Sequence, residues 1–251
     1  MKVSRRAFVT TASCAAAASL CAIPSSAFTA YNIGESRAIR ATLLDLETNC
    51  ALRESLAGMR TALGSSHRCV AASNLLLSDF GNLVIVAAAG SVMPDTFSAV
   101  AELLRGGATV LWESGAAFLN SADFAQQQAL TKEHFGISIG PAVPVWPPSN
   151  SRKPESGVPI HDARGVRAIG HEQVPYVAYR WPLKAHVRDF SRVIPVFAPS
   201  GHAIAHWNEA PVAWSKNVEA GTLVFLGSPL GPALLAGDAE ATALFQSLSS
   251  L

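Results

Sequence analysis

The run Leu83-Val84-Ile85-Val86-Ala87-Ala88, unbroken apolar sequence between Asn82 and Gly90, constrains the fold of this 251-residue chain more than any other segment. A strand with one wet face alternates apolar and polar residues, whereas a continuous run suits a central strand covered on both faces. Pro94-Asp95 then opens a helix with Phe97, Val100, Ala101 and Leu104 on one stripe, and Gly106-Gly107 closes it. Ala108 to Trp112 reads as the next buried strand, followed by a helix carrying Phe124, Thr131 and Phe135 and stopping at Gly136. This strand-helix-strand-helix order predicts a parallel sheet between helices.

The flanks extend the pattern. Residues 37–44 read as a first strand, Leu52, Leu56, Met59 and Leu63 recur at helical spacing up to Gly64, and Cys69 to Ala72 forms a short strand. Ten of the fifteen prolines fall between Pro141 and Pro199. Each fixes φ and removes a donor, so that section is expected to be a loop-rich excursion without long helices. Beyond it, Ala203 to Trp207, Pro211 to Lys216 and Thr222 to Leu226 are short strands punctuated at Asn208-Glu209 and near Gly221, as in hairpins. A closing helix follows Gly227-Ser228-Pro229-Leu230-Gly231-Pro232, with Leu234, Ala241, Leu244, Phe245 and Leu248 facing the core. The expected class is α/β: a mostly parallel sheet with helices on both faces, a Pro-rich section at 141–199 and carboxy-terminal β-hairpins.

The amino terminus reads as an address. Ser4-Arg5-Arg6-Ala7-Phe8-Val9 leads into an Ala-rich apolar stretch that Pro24 interrupts before the roughly 20 residues needed to span a bilayer. The paired arginines resemble a twin-arginine signal, which makes the twin-arginine translocase an expected partner during export. Ser25 and Ala27 fit a signal-peptidase site, so residues 1–27 are expected to be removed and 28–251 to form a single exported domain, periplasmic or held at the membrane if the signal stays uncut. Neither Cys14 nor Cys21 follows the pattern of a lipidated cysteine. Loss of Lys2, Arg5 and Arg6 leaves 16 basic against 18 acidic residues, which does not suggest a nucleic-acid binder. Cys50 and Cys69 remain, either as a disulfide suited to an oxidising compartment or as two buried thiols.

The segment from Leu83 through Phe118, turning at Trp112-Glu113-Ser114-Gly115-Ala116, resembles the core of the class I glutamine amidotransferase-like superfamily, which implies a flavodoxin-like fold. Pro211-Val212-Ala213-Trp214 with Gly221 to Ser228 is similar to the final strands of non-catalytic relatives, including trehalose-utilisation-type proteins and the trimerisation domain of some β-galactosidases. In the catalytic members a cysteine stands at the strand-to-helix elbow; here Glu113 does. No His-x-Glu pair follows Leu226, so glutaminase activity is not expected.

Glu113 and Ser114 lie where parallel strands end and ligands usually bind, as a general acid or base and a polar anchor, or else as caps of backbone amides, with Asn120 as a helix-start residue. Ser114 lacks the flanking glycines of a Gly-x-Ser-x-Gly elbow. Arg180, Lys184, His186, Arg188 and Arg192, interleaved with Tyr176, Tyr179 and Trp181, form either an anion- or carbohydrate-binding cluster or a solvated strand face. Ser228 lies at a helix start that can receive an anion. His202 and His206, four apart on a strand, would be about 13 Å apart, and no metal or cofactor is expected. Two readings follow: an exported non-catalytic domain that binds a small ligand or a partner protein at Glu113, Ser114 and Ser228, or an exported hydrolase or lyase using Glu113 as acid or base with Arg180 or Arg188 closing over the substrate.

Overall fold

The computed structural model describes residues 41–46, 49–65, 67–72, 80–145, 175–189 and 191–251. The proposed signal at 1–27 and much of the Pro-rich section lie outside the described residues. In chain order the elements are β1 (Ala41–Asp45), α1 (Arg53–Leu63), β2 (His67–Ala71), β3 (Leu83–Ala89), α2 (Pro94–Arg105), β4 (Thr109–Ser114), a 3-10 turn (Ala116–Phe118) and α3 (Ser121–Phe135). Then come β5 (Ser138–Ile139), β6 (Val143–Pro144), β7 (Tyr176–Tyr179), β8 (Ala185–Arg188), β9 (Arg192–Val193), β10 (Val196–Phe197), β11 (His202–Trp207), β12 (Ala210–Val218), β13 (Gly221–Leu226), α4 (Gly231–Leu235) and α5 (Ala239–Leu248).

Nine strands form one open sheet in the order β2-β1-β3-β4-β13-β12-β11-β7-β8. The pairings from β2 across to β13 are parallel, and those from β13 across to β8 are antiparallel. The expectation of a mostly parallel, flavodoxin-like sheet is therefore corrected to an α/β protein with a mixed sheet. The hairpins account for the difference: turns at Asn208 and Glu219, both at positive φ, fold β11, β12 and β13 against one another, and the chain after α3 supplies β7 and β8 to the same side.

Alternation along the central strand assigns the two faces. Leu83, Ile85 and Ala87 of β3 enter one core with Leu56 and Met59 of α1, Leu234 of α4 and Leu244, Phe245 and Leu248 of α5. Val84, Val86 and Ala89 enter the other with Phe97, Val100 and Leu104 of α2 and Leu130 and Phe135 of α3. In that second core Phe97, Trp112 and Phe135 pack with ring centroids 4.8 to 5.3 Å apart, which locks α2 and α3 onto β4.

Two local features differ from the sequence reading. The closing helix is two helices: Gly237 turns the chain at φ 73°, and Asp238 caps α5 by accepting from the Ala241 amide at 2.9 Å. Gly58, in the middle of α1, lets that helix lie directly on the start of α4, because a Cβ there would overlap the Gly231 carbonyl oxygen, and a Cβ at Gly231 would overlap Ser55.

Candidate functional site

Glu113 ends β4 with none of its surface exposed. One carboxylate oxygen accepts from the Ser55 hydroxyl at 3.1 Å and the Gly231 amide at 3.0 Å, and the other accepts from the Ala88 amide at 3.0 Å. Burial pushes this carboxyl above the usual glutamate range, and the donors from Gly231, Ala88, Ser55 and Leu230 pull against it. Ala88 holds φ 41°, a strained value for a residue with a side chain, at the register shift between β3 and β4 that separates the Val86–Trp112 and Ala89–Ser114 pairs. Glu113 thus ties together β3, β4, α1 and the start of α4, and a ligand would have to displace protein donors to reach it.

Ser114 accepts from the Ala116 amide at 3.3 Å, and Asn120 caps α3 by accepting from the Ala122 and Asp123 amides at 3.0 Å each. Ser228, just past β13, donates to Asp189 at 2.6 Å. Asp189 is fully buried and also accepts from the Ser191 amide at 2.8 Å. Burial pushes its carboxyl up to about 6 against the pull of Ser228 and Ser191. Tyr179 of β7 lies in the field of both carboxylates; burial first, then Glu113 and Asp189, push its phenol upward. Sequence reasoning missed Asp189. Its one signal is that it is the sole acidic residue between Pro175 and Pro199.

Arg180 and Arg188 belong to the antiparallel half, where Arg188 stands opposite Tyr176 and Arg180 donates its amide to Ile204. Arg180 lies close enough to His206 to join burial in lowering that imidazole's protonation. Arg192 donates to the Ala117 carbonyl at 3.2 Å, and the His186 amide donates to Glu240 of α5 at 2.6 Å. The cysteines are free: the Cys50 thiol donates to the Leu52 carbonyl at 2.9 Å, and Cys69 is exposed on β2, the edge strand. This corrects both the disulfide and the reading of two buried thiols. Among the described residues, no group of three or more His, Cys, Asp or Glu side chains is placed to hold a metal ion.

A pocket of about 510 Å³ opens at this end of the sheet, walled by Leu52, Phe118, Ser191, Pro229, Pro232 and Leu235, with Glu54 among its lining residues. Its walls come from the start of α1, the turn after β4 and the segment after β13, so it occupies the crevice beyond the carboxyl ends of parallel strands. Glu54 is its sole carboxylate, while Asp189 and Ser228 sit beside it in sequence, next to Ser191 and Pro229.

No family model matches the sequence, and no curated protein matches it. Solved structures share its fold. An exo-β-1,4-mannosidase from Opitutaceae bacterium strain TAV5 superposes with a TM-score of 0.52 at 12% identity, covering 83% of this chain and 35% of that one. A β-galactosidase from Bacillus circulans sp. alkalophilus gives 0.52 at 13%, covering 84% and 31%. A cytoplasmic protein from Salmonella typhimurium LT2 gives 0.52 at 12%, covering 80% and 86%. The chain therefore spans about a third of the length of those glycosidases, and at these identities the likeness is one of fold alone.

These neighbours correct the assignment to the class I glutamine amidotransferase-like superfamily and the non-catalytic role read from it, because the enzymes that share the fold are glycosidases. The physical reason is that a buried strand, an amphipathic helix and a Gly-Gly turn recur across α/β proteins and do not single out one family.

Proposed function

We propose a glycoside-hydrolase-like role, in which the crevice pocket receives a sugar ring and, with residues 1–27 as an export signal, the reaction takes place outside the cytoplasm. The observation that carries this reading is the pocket itself. Phe118, Pro229 and Pro232 offer apolar surface to the C–H face of a pyranose, and Glu54 and Ser191 supply the few polar groups that orient a ligand. The β-mannosidase and β-galactosidases among the fold's neighbours support a glycoside as the ligand class. Hydrolysis of a glycosidic bond ordinarily uses two carboxyl groups, an acid for the leaving oxygen and a base or nucleophile on the other side, and the pocket lining supplies one of them. Glu54 is assigned that place, because Glu113 is enclosed by its own donors.

The test is hydrolysis of chromogenic β-D-galactosides and β-D-mannosides by the wild type and by Glu54→Gln. Turnover by the wild type and a loss of at least about 100-fold in the variant support the assignment, on the scale of one acid-base group. Equal rates in the two proteins remove Glu54 from the chemistry. Absence of turnover by the wild type on both series overturns the hydrolase reading.

A further inference from the structure

We propose that the hydrogen bond between Ser228 and Asp189 is a latch on the pocket wall, and that protonation of Asp189 weakens it. The inference takes the pocket as the functional site but does not depend on its ligand being a glycoside. Asp189 joins two pieces of chain that both line the pocket. On one side its carboxylate accepts from the amide of Ser191, a wall residue. On the other it accepts from the hydroxyl of Ser228, which immediately precedes the wall residue Pro229 and the short helix α4 that carries Leu235. Asp189 is anchored on a third side, where its amide donates to the Pro175 carbonyl at 3.1 Å.

An ionised Asp189 accepts both bonds, and the 2.6 Å Ser228 contact is then charge-assisted. A proton on the same oxygen reverses that contact: Ser228 must turn its own hydroxyl hydrogen elsewhere and accept instead, leaving a neutral bond of roughly half the strength. Two titratable groups share the surroundings of Asp189. Tyr179 comes from β7, and beyond it lies Glu113 of β4, whose charge acts on the same phenol. What sets the protonation of Asp189 is burial, opposed by Ser228 and Ser191, with a midpoint of about 6.

The test is a pH titration of amide resonances in the full folded chain between pH 4.5 and 7.5. The amides to follow are Ser191, which touches Asp189, and Leu235 and Ala236, which line the pocket without touching it. The latch requires that all three move with one midpoint near 6, that the transition vanish in Asp189→Asn, and that it shift upward in Ser228→Ala, where a donor to the charged form is lost. Movement of Ser191 alone, an unchanged transition in Asp189→Asn, or no transition at all overturns it. If Asp189→Asn does not fold, the Ser228→Ala shift decides the question. A chain that fails to hydrolyse glycosides can still pass this test, so the two readings fail separately.

Discussion

Replacing Glu113 by Gln keeps the shape of the side chain and turns one acceptor into a donor that meets the Ala88 N–H. A buried donor left facing a donor, together with the loss of charge-assisted bonds from Ser55 and Gly231, predicts destabilisation of about 3 kcal/mol in urea unfolding at pH 7. A loss under about 1 kcal/mol would contradict the role given to Glu113. The same unfolding experiment across pH separates Asp189. Its carboxyl is raised in the folded protein, so the folded state holds a proton that the unfolded chain releases near pH 4. Stability from this group is complete below that point and is lost as pH rises through about 6, a change of about 3 kcal/mol that Asp189→Asn should flatten. At this scale the sequence located Glu113 but not its partners. Ser55, Ala88 and Gly231 lie 58, 25 and 118 residues away, and Ser228 lies 39 from Asp189. Local spacing carries no trace of such pairs.

Among the elements, the contact between α1 and α4 is the one that sets the pocket, since it fixes Leu52 and Glu54 against Pro232 and Leu235. Gly58→Ala places a methyl group on the Gly231 carbonyl, where backbone faces backbone and nothing flexible can yield. The expected cost is about 3 kcal/mol. Gly106→Ala, at an ordinary φ of −73° with its nearest neighbour at 3.4 Å, should stay within about 1 kcal/mol of the wild type. Similar losses at both positions in thermal or urea unfolding would contradict the packing argument. The long elements were legible because their periodicity is long: β3, α2 and β4 fall within a residue or two of the boundaries read from apolar spacing and glycines. The two-residue strands β5, β6, β9 and β10 were not, because two residues cannot display an alternation. Gly237 leaves no mark in the periodicity, because the apolar stripe resumes at Ala241 in helical register and hides a break of one turn.

At the scale of the molecule, the parallel half of the sheet supplies the crevice, while the antiparallel half carries Tyr179, with Asp189 just past its edge strand β8. The parallel half follows from continuous apolar runs that only a sheet covered on both faces accommodates. The antiparallel half is harder to read, because hairpin signals fix which strands are neighbours without saying which edge they join. The basic and aromatic residues of β7 and β8 drew attention as a cluster, yet the register places Arg188 opposite Tyr176 in the antiparallel half and the pocket forms elsewhere, around Phe118 and Glu54. The measurement that bears most directly on the central claim is a titration of the isotopically labelled protein with methyl β-D-galactoside and methyl β-D-mannoside, followed by amide shifts. Saturable changes gathered at Leu52, Glu54, Phe118 and Ser191 are the expected result. No saturable change with either sugar, or changes confined to β7 and β8, would contradict the claim that this pocket receives a glycoside.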